Sequence, residues 1–328
     1  MLSSSLYPLR FEPIFQYRLW GGRRLGDWMG RPLPGDDPIG EAWVLSDRAD
    51  HASIVSEGPL KGCTLTDLMA GRGDEILGDQ HHRRQRFPLL LKFLDVREML
   101  SVQVHPRDEQ HDLIPAGDTG KSEAWVVLDA APQARIYAGL KPGTTEADLR
   151  GLTRRSADEH LASFRPEPGQ AVMIEAGTVH SLGGGVMVFE VQENSDVTFR
   201  LYDWGHVDAK TGRERDLQID QALACINLDQ GPVGPATEPA GAAPRGPLLD
   251  DPHFQLWRRR CDAPLDVGAE GRARILVCIA GQGRVESRGG AFGLERGGVM
   301  LLPASLGVCG FRPDPESTLL EIAVPDRS

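Results

Sequence analysis

The sequence predicts a mainly β protein: two jelly-roll-type β-barrels with a few short helices. Three observations predict it. Short apolar runs rich in Val, Ile, Leu and Phe recur between Gly, Pro and Asp punctuation, the pattern of many short strands. Helical periodicity is confined to three short segments. A Gly-led turn feeding an apolar strand occurs twice, at Gly169-Gln170-Ala171-Val172-Met173-Ile174 and at Gly297-Gly298-Val299-Met300-Leu301-Leu302-Pro303.

In chain order, strands are expected at 41–46, 89–94, 100–104, 124–128, 134–139, 171–175 and 186–192. A first helix starts at Thr64, an N-cap residue, and extends toward Leu77. A second covers 144–151, where Glu146 and Asp148 give an acidic first turn that suits the helix dipole, and a third covers 217–225. Residues 228–247 are dense in Pro, Gly and Ala without periodicity and read as a linker or surface crossing. Beyond it, strands at 254–261, 273–280, 283–287, 291–294, 299–303 and 317–323 make a second, all-β unit. The expected division is 1–227, a metal-binding domain with small helical segments, and 248–328, a second barrel. The second Gly-led turn has no histidine at the position corresponding to His180, so this barrel is expected to be metal-free.

A chain of 328 residues can bury a substantial core in about two domains. Its 40% hydrophobic and 25% charged content is that of an ordinary soluble protein. A net charge of −11 leaves no basic excess to neutralise phosphates, which argues against a nucleic-acid partner. An anionic small molecule would need a local cationic pocket. No apolar run reaches transmembrane length and residues 1–10 lack a signal-type segment, so no membrane partner and a cytoplasmic location are expected. The five cysteines are scattered, with no C-x-x-C pair, as for free thiols in a reducing compartment. No Gly-x-Gly-x-x-Gly or P-loop pattern is present.

Gln103-Val104-His105-Pro106, Glu123 and His180 supply four side chains able to close around one divalent metal. Two imidazoles, a carboxylate and an amide oxygen suit zinc best and leave room for water or substrate. Nine histidines give such spacings by chance as well, so the surrounding sequence has to decide. The basic run His81-His82-Arg83-Arg84-Gln85-Arg86 and His111 read as solvated surface.

That surrounding sequence resembles the type I mannose-6-phosphate isomerases of the cupin superfamily, in their short bacterial form. The resemblance is carried by Trp20-Gly21-Gly22, Gly40-Glu41-Ala42-Trp43, Phe87-Pro88-Leu89-Leu90-Leu91-Lys92 and Leu100-Ser101-Val102-Gln103-Val104-His105-Pro106. It continues through Gly120-Lys121-Ser122-Glu123-Ala124-Trp125, Gly177-Thr178-Val179-His180-Ser181 and Gln192-Glu193-Asn194-Ser195-Asp196-Val197-Thr198-Phe199-Arg200. It implies cupin-type barrels, one zinc per chain on Gln103, His105, Glu123 and His180, and an essential arginine at Arg200. It also implies interconversion of mannose 6-phosphate and fructose 6-phosphate through an enediol, by a monomer or weak homodimer.

Lys121, two residues before Glu123, shares its face on a strand and is expected to bind phosphate or carry a proton. Ser101 shares a face with Gln103 and is expected to donate a hydrogen bond to phosphate. Glu41 and Glu193 are candidates for assisting ring opening or orienting a ligand, and Trp20 for walling the pocket. For Arg200 the competing role is a buried ion pair with Asp196 or Asp203. Two other functions fit the same barrel: a non-catalytic sugar-phosphate-binding cupin, and an iron-dependent cupin oxygenase.

Overall fold

The computed structural model describes residues 5–236 and 246–325. In the first half, β1 (Ile14–Gly22), β2 (Ile39–Leu45), β3 (Leu89–Val96), β4 (Val102–Val104), β5 (Glu123–Ala130) and β6 (Arg135–Leu140) alternate with short loops and helices. They are followed by β7 (Leu161–Phe164), β8 (Ala171–Ile174), β9 (His180–Gly183), β10 (Val186–Glu193) and β11 (Phe199–Tyr202). The helices are α1 (Arg24–Met29), α2 (Leu65–Leu77), α3 (Glu146–Arg150), α4 (Arg154–His160) and α5 (Ile219–Cys225). Thr64 caps α2 by accepting from the Asp67 N–H, as its position before the apolar run predicts.

These strands form a six-stranded sheet in the order β1-β2-β3-β10-β5-β8 and a five-stranded sheet in the order β11-β4-β9-β6-β7, all antiparallel. The larger sheet is buried on both faces, so its strands read as near-continuous apolar runs. Period-two alternation still sorts the side chains. Leu89, Leu91 and Phe93 of β3, Ala124 and Val126 of β5, and Met187, Phe189 and Val191 of β10 point to one core cluster. Leu94, Val96, Trp125, Val127, Val186 and Val188 point to the other, between the two sheets. Lys92, Glu123, Glu190 and Gln192 have this second, inward parity.

A short ribbon, β12 (Val207–Asp208) with β13 (Arg213–Glu214), follows β11. The second half contains β14 (Leu249–Asp250), β15 (Gln255–Cys261), β16 (Leu265–Gly268), β17 (Arg274–Ser287), β18 (Gly290–Glu295), β19 (Val299–Leu302) and β20 (Val308–Ala323). They make one sheet built around the long β17–β20 pair. The runs 273–280 and 283–287, read separately in the sequence, are one strand. Register shifts beside Gly281, at φ +70°, let it bend without breaking. β20 likewise starts well before the expected 317. Its first part pairs with β16 and its last part with β15.

The two halves share a core. Leu249, Phe254, Leu256, Ile275, Val277, Leu301, Leu320 and Ile322 pack in the same cluster as the outward face of the large sheet. Leu9 also pairs with Leu301 through two backbone hydrogen bonds of 2.8 Å. The Pro/Gly/Ala segment is exposed or half-buried as far as residue 236. The Val233 N–H donates to the Ala138 carbonyl and the Ala236 N–H to the Ala171 carbonyl. The rest of that expected linker, 237–245, lies outside the described residues. All five cysteines are unpaired, and no helix among the described residues is long and apolar enough to cross a membrane.

Candidate metal centre and its cavity

Three ligand-type side chains converge between the two sheets. Glu123 opens β5 in the large sheet, His180 opens β9 in the small one, and His105 follows β4. The His105 Nε2 lies 3.4 Å from Glu123 Oε2 and the His180 Nε2 3.4 Å from Glu123 Oε1. The three ligand atoms lie within 4.8 Å of one another, and all three residues are buried. Gln103 stands beside the set: its register partner across the β4–β9 pair is His180, its amide nitrogen is 3.1 Å from His180 Nε2, and its amide oxygen is turned to Ser101.

Both imidazoles have a fixed tautomer. His105 Nδ1–H donates to the Val197 carbonyl at 2.7 Å and His180 Nδ1–H to the Thr178 carbonyl at 2.9 Å. That leaves each Nε2 lone pair aimed at Glu123, the arrangement a metal-binding histidine needs. Burial, reinforced by the Lys121 charge, pushes the His105 pKa down to about 3, and burial also lowers that of His180. Burial works against ionisation of Glu123, yet Lys121 and the histidines hold it well below the usual carboxylate range. Neutral imidazoles and an ionised carboxylate are the protonation states of a ligand set. Neither Glu123 oxygen receives a well-aligned hydrogen bond, although both are buried. Uncompensated buried acceptors are costly, so this point calls for a cation. The residues present therefore fit a metal.

The Lys121 ammonium supplies part of that charge, 2.7 Å from Glu123 Oε2 and 3.1 Å from His105 Nε2. Trp125, two residues after Glu123 and on the same face, sets its ring edge-on to His180 at 5.5 Å. The Ser101 hydroxyl donates to Gln103 Oε1 at 3.1 Å and is fully buried. It stands behind the ligand set as a support for the Gln103 amide, away from the cavity lining.

Gln103 and Lys121 form the floor of a cavity of about 370 Å³, which is also lined by Trp20, Glu41, Glu190 and Arg200. Such a volume is in the range of small-molecule sites. Glu41 is gripped by one edge of the Arg18 guanidinium, Nε and Nη2 at 2.9 Å each, and by the Trp43 indole N–H at 2.7 Å. Despite its burial, Arg18 and Lys92 hold its pKa at about 2. Gly40 makes room for this wall, since a Cβ there would lie 2.6 Å from both Arg18 Cβ and the Trp20 ring. Arg200 makes no ion pair with Asp196 or Asp203. Asp203 is instead bound by Arg215, and the Arg200 Nε is buried with no partner.

Glu193 requires a correction. Parity along β10 turns it to the outward face, where it accepts from the Ser122 N–H at 2.9 Å and pairs with His253 at 2.9 Å, in a different cavity. The carboxylate that enters the site is Glu190, three residues earlier, held by Lys92 at 3.2 Å and the Trp125 indole at 2.9 Å. Sequence reasoning also missed Lys92, Arg18 and Arg215. A signal existed for two of these four: Lys92 in Leu-Leu-Leu-Lys-Phe-Leu and Glu190 in Val-Met-Val-Phe-Glu-Val are single charges at inward positions of apolar strands.

The model for the phosphomannose isomerase type I catalytic domain matches residues 9–126. Mannose-6-phosphate isomerase ManA of Bacillus subtilis (strain 168) is 32% identical over 309 residues, spanning 92% of this chain and 94% of that protein. The crystal structure of the mannose 6-phosphate isomerase from Bacillus subtilis superposes with a TM-score of 0.87 at 27% identity, covering 97% of this chain and 100% of that one. A zinc-bound mannose 6-phosphate isomerase shares the fold, with a TM-score of 0.74 at 16% identity over 98% of this chain and 100% of that one. With near end-to-end identity above 30% to a mannose-6-phosphate isomerase, the chain belongs to the type I phosphomannose isomerase family of enzymes.

Proposed function

We propose that this protein is a zinc-dependent aldose–ketose isomerase that interconverts mannose 6-phosphate and fructose 6-phosphate through an enediol. The observation that carries this reading is one cavity that presents the unpartnered Arg200 cation and whose lining residues Gln103 and Lys121 touch the buried His105–Glu123–His180 cluster. His105, Glu123 and His180, with Gln103 beside them, would hold one zinc per chain. Bound there, zinc supplies Lewis-acid polarisation of the sugar oxygens at C1 and C2.

The chain's own groups do the rest. Lys121 and Glu190 are the proton carriers within the cavity: Lys121 touches the ligand cluster, and burial followed by the Glu123 charge raises the Glu190 pKa above its ordinary value. Arg200 is a fixed cation for an anionic intermediate or for phosphate. Trp20 excludes water from one wall, and Glu41 fixes Arg18 in the other. The proposal includes a cytoplasmic location, a monomer or weak homodimer, a catalytic unit at 1–227 and a metal-free unit at 248–328.

The test is turnover of mannose 6-phosphate by purified protein, before and after chelation and zinc restoration. Chelator-sensitive, zinc-restored turnover is the expected result. A folded, zinc-loaded protein without turnover would overturn the assignment and favour a binding role.

A further inference from the structure

The ribbon β12–β13 borders the cavity through Asp208 and is tied down at two points. Tyr17 donates its hydroxyl to Asp208 at 3.0 Å, and Lys210 pairs with Asp37 at 2.6 Å while lying over the Tyr17 ring. The ribbon then returns the chain to Arg215, a lining residue of the cavity. Arg215 donates from Nε to Asp203 Oδ2 at 2.8 Å and from one terminal nitrogen, Nη2, to Oδ1. This two-point pair uses one edge of the guanidinium and leaves Nη1 without a protein partner among the described residues.

The cavity's other cations are committed: Arg18 to Glu41, Lys92 to Glu190 and Lys121 to Glu123. Arg200 is not, and the charge of Arg215 reaches it. Burial and then that repulsion pull the Arg200 pKa below its ordinary value. Two guanidiniums with unfilled N–H groups in the lining of one cavity suit a ligand that carries two negative charges on oxygens.

We propose that Arg215 is a phosphate-binding residue, whose Nη1 joins Arg200 in holding the phosphate of the substrate while Asp203 keeps it oriented. The proposal rests on the sugar-phosphate reading above and adds to it the residue that selects phosphorylated over free sugar. Ser101, expected to bind phosphate, is turned to Gln103, and Lys121 is engaged at the metal end.

Arg215→Gln, Arg215→Lys and Lys210→Ala are compared in the zinc-loaded full chain. Lys210→Ala cuts the ribbon's tie to Asp37 and its contact with Tyr17 while replacing no residue that lines the cavity. Arg215→Gln is expected to raise KM for mannose 6-phosphate about 10- to 100-fold, the effect of losing a hydrogen bond to a charged group, with kcat changed far less. The same variant should weaken inhibition by inorganic phosphate in parallel, and Lys210→Ala should not. Protection of the folded protein against heat by inorganic phosphate gives a readout independent of turnover, so the proposal can stand or fall even if the isomerase reading fails. Unchanged KM and unchanged phosphate binding in Arg215→Gln overturn it, as does an equal loss in Lys210→Ala, which would mark a merely structural ribbon. If the Gln variant does not fold, Arg215→Lys decides. It keeps charge but loses the fork, so a KM increase smaller than that expected for Gln supports the proposal and none overturns it.

Discussion

The turn at residues 167–170 and the turn at residues 295–298 have the same construction in the two halves of the molecule. In the first, the Gly169 N–H donates to the Val127 carbonyl and the Val127 N–H to the Gln170 carbonyl; in the second, Gly297, Cys278 and Gly298 repeat the pattern. Gly169 at φ +90° and Gly297 at φ +82° occupy the left-handed region that favours glycine. Each turn feeds a four-residue strand that pairs with the same relative register. Glu123 faces Ile174 in one half, and Arg274 faces Leu302 at the corresponding place in the other.

From this shared framework the interiors diverge. The first half places Gln103, His105, Lys121, Glu123, His180 and Glu190 between its sheets. The second fills its interior with Val267, Leu276, Cys278, Val285, Met300, Phe311 and other apolar side chains. One sheet design serves as a rigid mount for chemistry or as a packed core, according to the residues at inward positions. The outward faces of both halves meet in one shared cluster, so the packed half supports the reactive one.

Four experiments break or sharpen this contrast. His180→Ala has the largest expected effect: loss of bound metal and a fall in turnover of about 10³-fold or more, the several kcal/mol a metal's charge contributes. Metal analysis beside a turnover assay checks it, and an active, metal-replete variant would remove His180 from the site. Next comes Arg200→Ala, expected to retain metal and lower turnover by about 10²-fold, as for loss of one fixed charge-stabilising donor. Loss of metal in that variant would assign Arg200 a structural role.

The third probes the packed half. Phe311→Ala should destabilise the fold by roughly 3–5 kcal/mol through its cavity, while kcat per folded molecule stays unchanged. Denaturant titration with active-site counting measures both, and a fall in kcat would show that the second half does more than support. The smallest effect is an acid-side one. The Glu41 pKa of about 2 lies below its ordinary 4.5, so the unfolded chain binds the extra proton as pH falls. Its contribution is present above pH 4.5 and lost as pH drops toward 2. Glu41→Gln should flatten the stability profile in that window, and a profile identical to the parent's would refute the Arg18–Glu41 link.

Much of this was legible in one dimension. Short apolar runs between Gly and Pro fixed a mainly β chain, Thr64 marked the start of α2, and motif order brought out the residues of the ligand cluster. These signals are local, because strand alternation, caps and tight turns depend on a few neighbouring residues. β1 was missed because Gln16, Tyr17 and Arg18 interrupt its apolar pattern, and α4 because only Ala157 of it is buried. The sequence by itself therefore determined the mainly β class and brought out the residues of the His105–Glu123–His180 cluster. Only the tertiary structure decided which charges face one another: that Glu190 enters the cavity while Glu193 leaves it, that Asp203 takes Arg215 and leaves Arg200 open, and that Ser101 backs Gln103. Those outcomes depend on strand parity and on pairings between segments up to about a hundred residues apart, which local pattern does not encode.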